Sequence, residues 1–242
     1  MIAMSKTQSE KRRNIVADSL RIQTVPHPFR FRENPDNSLN RLIVEAVNRM
    51  GEFGDDAEAN YQTVLEALRQ HSDEVVAIIA AEYRDLSEDQ YLDRWSLVQL
   101  LVELRHPSSL SLLNEVLSNQ IPEERSQDTD SFTTVGEEVM IKTTAVEALT
   151  QMSAQQNQDA LDLLLRYTQH ENFSIKRACV QGYLAYAGEG ASERLLEFLP
   201  EQDRFILDIR REDVRNVSQP RGENYLRREE SGDTPRLQTR RD

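Results

Sequence analysis

The chain has 242 residues, 38% of them apolar, and Leu, Ile, Val and Phe together number 61, enough for a packed core and too many for a wholly disordered chain. A single cysteine excludes an intramolecular disulfide framework and a cysteine-rich zinc site. Net charge is −13, unevenly spread: +4 over residues 1–33, −19 over 34–203 and +2 over 204–242.

An acidic body with two basic ends should repel polyanions and attract cationic partners. No apolar run approaches the roughly 18–20 residues that cross a bilayer, and the first residues carry no secretory apolar region. The expected setting is soluble and reducing, most simply the cytoplasm.

Residues 1–35 read as a basic arm. A short helix over 14–20 would gather Ile15, Val16 and Leu20, and three prolines within 25–35 then force an extended connector. From 36 to 203 the apolar residues recur at helical spacing. Leu39, Leu42, Ile43, Ala46, Val47 and Met50 form one stripe, and Tyr61, Val64, Leu65 and Leu68 a second, with Asp55 and Asp56 as cap candidates. Val75, Val76, Ile78, Ile79 and Tyr83 follow the cap candidate Ser72. Ser87 to Gln90 has capping-box spacing before a helix carrying Leu92, Leu97, Leu100, Leu101 and Leu104, which should stop near His106-Pro107. The next helix opens near Ser108. A terminal helix is expected over 204–217, and an Arg-rich, disordered tail over 218–242.

Four segments align on themselves: residues 64–68, 96–100, 145–149 and 179–183, at offsets of 32, 49 and 34. The middle offset contains a polar insertion at about 119–135, whose removal restores a period in the low thirties. In each segment a small or medium residue (Val64, Ser96, Ala145, Cys179) precedes an aliphatic one, and a large apolar residue follows three positions on. A second apolar stripe completes each unit. A helical hairpin has one apolar face that it cannot cover itself, and stacking the next hairpin removes that face from water at roughly 25 cal/mol per Å². The expected fold class is therefore all-α, an α-solenoid of about four to five stacked hairpins.

Leu92-Asp93-Arg94, Ile141-Lys142 and Ile175-Lys176-Arg177, with the leucine-rich helices that follow them, resemble HEAT-like repeats of the short, phycobilisome-lyase kind. Arg105-His106-Pro107 resembles the turn of that family, whereas the first unit carries Asn60-Tyr61 where an aliphatic–basic pair is expected. The resemblance covers residues 56–199 well and 38–51 loosely, and it implies a binding scaffold by analogy. It also brings two alternatives: a DNA-repair type of nucleic-acid binder acting through the basic ends, and a bilin lyase-like chaperone. An acidic body argues against the first, because phosphate binding needs a basic surface.

No residue set points to catalysis, and no cofactor or metal is expected. Cys179 occupies an inward slot and reads as packing. His27, His71, His106 and His170 lack paired ligand spacing, and His106 and His170 suit helix ends. Glu137-Glu138 suits a helix start, and Trp95 reads as a packing anchor, against the Phe29/Phe31 connector or elsewhere. If the second helices line a concave side, their polar residues Ser111, Asn114, Glu115, Asp159, Asp162, Arg166, Glu193 and Glu197 form a mostly acidic groove. Phe132 is a candidate anchor on the insertion. The expected partner is another protein with a basic surface, and the expected role is a non-enzymatic scaffold or adaptor.

Overall fold

The computed structural model describes Phe29, Phe31 and residues 37–125 and 134–209. The basic arm (save those two phenylalanines), Phe132 on the insertion, residues 210–217 of the expected terminal helix and the Arg-rich tail lie outside the described residues.

Among the described residues there are nine α-helices and no strand. They are α1 (Ser38–Arg49), α2 (Ala57–Arg69), α3 (Ser72–Asp85), α4 (Tyr91–Leu104), α5 (Leu110–Ser118), α6 (Thr134–Ala154), α7 (Gln158–Tyr167), α8 (Phe173–Tyr186) and α9 (Ala191–Phe198). A 3-10 turn, Pro107–Ser109, leads into α5. The chain divides into two units between Leu199 and Pro200, and the second opens with a 3-10 helix, Glu201–Asp208.

Local chemistry sets the boundaries. Asn37, Asn157 and Asn172 cap α1, α7 and α8, their side-chain oxygens accepting from backbone N–H groups at 2.8–3.4 Å. Other expected caps act differently. Asp56 stands at the N-cap of α2 without a side-chain cap bond, and the Ser72 hydroxyl turns back to the Arg69 carbonyl at 2.8 Å. The Gln90 amide oxygen accepts from the Ser87 N–H at 3.2 Å, but α4 starts only at Tyr91. Arg105, at φ 52°, ends α4 in the left-handed region, and Pro107 holds His106 extended. The stop comes where the proline demands it.

Helices α4, α6 and α8 pack in succession. Of the second helices, α5 lies on α6, α7 on both α6 and α8, and α9 on α8, while α5 and α7 touch each other. Leu97, Leu100, Ala145, Leu149 and Cys179 are fully buried, whereas Ser96, aligned with Ala145 and Cys179, is half-buried. The slot filled by Trp95 in α4 and Thr144 in α6 is joined directly: the indole N–H donates to the Thr144 hydroxyl at 3.1 Å. Phe29 and Phe31 are buried and meet edge to face at 5.3 Å between centroids.

Several side-chain bonds join helices at similar sequence separations. Arg69 to the Glu103 carbonyl, Arg84 to Glu115 and Ser108 to Asp73 span 34, 31 and 35 residues. Across the insertion the separations grow: Arg94 to Glu138 spans 44 and Trp95 to Thr144 spans 49. Gly182 marks a close approach of α8 to α6. A Cβ there would land on the Thr150 hydroxyl, so the helix accepts a residue that costs about 1 kcal/mol relative to Ala.

Candidate functional site

The core supplies the wall of the site. Glu138 on α6 accepts two bonds from the Arg94 guanidinium, at 2.9 and 3.2 Å, and the same guanidinium donates to the Tyr83 hydroxyl at 3.0 Å. All three residues are buried. Burial alone would lower the Arg94 pKa, but the Glu138 and Tyr83 contacts outweigh it and leave the group raised. One helical turn on, Lys142 is 0% exposed, and its ammonium donates to the carbonyls of Val116 and Asn119 at 2.6 Å each and of Leu117 at 3.4 Å. A cation at these carbonyls complements the C-terminal end of the α5 dipole. Burial pushes the Lys142 ammonium down to about 8, and Glu138 opposes that shift.

Residues 117–120, held from behind by Lys142, form one side of a cleft of about 500 Å³. Arg166, Tyr167, Gln169 and His170, at the end of α7 and just beyond, form the other. The Tyr167 hydroxyl lies 2.9 Å from both the carbonyl and the side-chain oxygen of Asn114, tying α7 to α5. Burial lowers the His170 pKa, helped by the nearby Lys142 charge, and its Nδ1 accepts from the Asn172 N–H at 2.9 Å.

A second groove of about 390 Å³ adjoins this cleft between α7 and α9. It is lined by Asp162, Leu165, Arg166, Gln169, Arg194 and Phe198, so Arg166 and Gln169 belong to both hollows. The Gln169 amide donates to the Phe198 carbonyl and ties the two helix ends together.

Of the residues expected to line a groove, Asp162 and Arg166 are brought together here. Asp162 accepts from the Gln158 amide at 3.0 Å. Glu115 is engaged by Arg84 at 2.6 Å, and Asn114 by Tyr167. Ser111, Asp159, Glu193 and Glu197 are exposed on α5, α7 and α9 and do not line either hollow. Arg194, Gln169 and Phe198 were not singled out from the sequence. Arg194 is one residue from Glu193, a rotation of about 100° round the helix, so an unanchored phase easily exchanges the two.

Cys179 is buried, and burial pushes its thiol pKa up, a setting for packing and not for nucleophilic attack. His106 lies 3.6 Å from Asp73 at the turn before α5. Among the described residues no group of three or more His, Cys, Asp or Glu could hold a metal ion, and no helix is long and apolar enough to cross a membrane. Compared with protein-family models, curated proteins and solved structures, the chain matches none.

Proposed function

We propose that the chain is a HEAT-like α-solenoid that serves in the cytoplasm as a non-enzymatic interaction scaffold, docking a protein partner on the face of α5, α7 and α9. Inter-hairpin bonds at separations of 31–35 residues, lengthened by the insertion, support the repeat reading. The observation that carries the functional reading is the pair of adjoining hollows sharing Arg166 and Gln169. They make a trough lined by charged groups, side-chain amides and a few apolar surfaces, the mixture that recognises a polypeptide. Asp159, Glu193 and Glu197 are exposed on the same helices without an ion pair among the described residues. They can meet cations on a partner without first breaking an intramolecular bridge, which favours a partner with a basic surround.

The test begins with affinity purification of the tagged chain from its native cells and proceeds to titration of the purified partner. Replacing Asp159, Glu193 and Glu197 together by Lys should weaken binding at least about tenfold and flatten its salt dependence, because rim charges are screened within about 10 Å at 0.1 M salt. Equivalent reversals at the exposed Glu66 and Asp85, outside this face, should leave affinity unchanged. Equal loss in both sets, or binding indifferent to salt, would refute the docking face.

A further inference from the structure

We infer that the trough between α7 and α9 takes a carboxylate side chain presented by an extended segment of the partner protein. This rests on the docking-face reading and adds the chemistry of its anchor. The starting observation is how arginine is treated elsewhere. Arg49 pairs with Glu45 at 2.8 Å, Arg84 with Glu115 at 2.6 Å, Arg125 with Glu88 at 2.7 Å and the buried Arg94 with Glu138 at 2.9 Å. Arg41, Arg69, Arg105 and Arg177 form no ion pair among the described residues either, but they line neither hollow, so what sets the next two apart is that both share one groove. Arg166 and Arg194 line one groove, and neither makes an ion pair or side-chain hydrogen bond among the described residues.

A guanidinium offers a planar fork of N–H donors that matches a carboxylate, and two forks on one hollow define a site for an anion. The size of the charge follows from the third ionic group. Asp162 lines the same groove, so the lining carries two positive charges and one negative. A single carboxylate balances that excess, whereas a phosphate dianion would overshoot it and meet Asp162. Phe198, 43% exposed, and Leu165 supply apolar surface for the neighbouring side chain of the segment. Where the trough continues past Gln169, the polar groups of Ser118, Asn119 and Gln120 can serve the peptide backbone. The partner would then be basic around its rim and would bear one acidic residue at its anchor, which sets register as well as affinity.

The experiment titrates the full chain with a fluorescent Gly/Ser-framed peptide holding one glutamate between two leucines, and with its Gln, Lys and phosphoserine counterparts. The glutamate peptide should bind about tenfold more tightly than the Gln peptide, and the Lys peptide more weakly still. Arg166→Ala or Arg194→Ala should erase the preference, while Arg41→Ala, an exposed arginine on α1, should keep it. Circular dichroism establishes that each variant is folded. Equal affinity for the Glu and Gln peptides overturns the inference, as does a preference kept in both groove variants. So does tighter binding of the phosphoserine peptide, or no binding of the glutamate peptide at millimolar concentration. If the peptides fail while charge reversal of the three rim acids still releases the partner, the anchor is refuted and the docking face stands.

Discussion

Helix α6 meets α4 on one side and α8 on the other, and the two interfaces solve the same packing problem with opposite chemistry. Toward α4, a buried arginine–glutamate pair and an indole–hydroxyl bond join the helices. Toward α8, a glycine lets the backbone close in against Thr150. The polar interface specifies which residues must face each other but requires two charges to leave water. The small-residue interface avoids that desolvation and depends instead on excluding volume. Helices packed in succession can therefore meet in similar places and be held by different chemistry.

Breaking the polar side should have the largest effect. Glu138→Ala leaves the Arg94 guanidinium buried without its counter-ion, which should cost about 3–5 kcal/mol in urea denaturation. Replacing both partners, Arg94→Met with Glu138→Leu, should recover most of that loss, because the desolvation cost disappears with the charges. If the double variant is as unstable as the single one, the pair is not the source of the effect.

An apolar reference on the same helix is Leu149, which is fully buried. Leu149→Ala should cost about 2–5 kcal/mol, with the spread set by how far the cavity collapses. On the α8 side, Gly182→Ala gains helix propensity but overpacks the Thr150 contact, for a net loss of about 1–3 kcal/mol. Adding Thr150→Ala should relieve it. A stabilised single variant would mean that α8 can move away freely.

The smallest effect concerns pH. The His170 pKa is lowered in the folded state, so below about 6.5 the unfolded chain takes up a proton that the folded chain resists. This contribution to stability is intact above 6.5 and falls away as the pH drops toward the folded value. Protonation also removes the Nδ1 acceptor that holds the Asn172 N–H at the start of α8. Comparing wild-type and His170→Gln melting temperatures between pH 7.5 and 5 should show a steeper decline for the wild type. Parallel curves would exclude the histidine.

Helical periodicity and self-alignment were enough to locate the inward slots at Leu97, Leu100, Leu149 and Cys179, because burial is what generates a periodic stripe. They failed at the start of α4. Leu92 holds the aliphatic slot that Ile141 and Ile175 fill at 0% exposure, yet it is 67% exposed. The cause is Arg94, which hydropathy places outside but which turns inward to reach Glu138. Two positions on a helix differ by about 200°, so burying Arg94 turns Leu92 outward.

The same limit appears at the matched pairs Ile141-Lys142 and Ile175-Lys176. Lys142 is wholly buried on the carbonyls at the end of α5, while Lys176 stays half-exposed. Which lysine is buried depends on the chain end opposite it, and that is tertiary information. For the groove, Asp162 and Arg166 were recoverable as polar positions of a second helix. Arg194 needed the rotational phase of α9, which eight residues with few buried anchors do not set.

The claim on which the functional account depends is that the face of α5, α7 and α9 meets the partner. Hydrogen–deuterium exchange of the full chain, alone and in the purified complex, tests it most directly. The account predicts new protection at the ends of α7 and α9 and over residues 117–121, with α1 and α2 unchanged. Protection confined to α1, α2 or α3, leaving α7 and α9 exchanging as in the free chain, would contradict it.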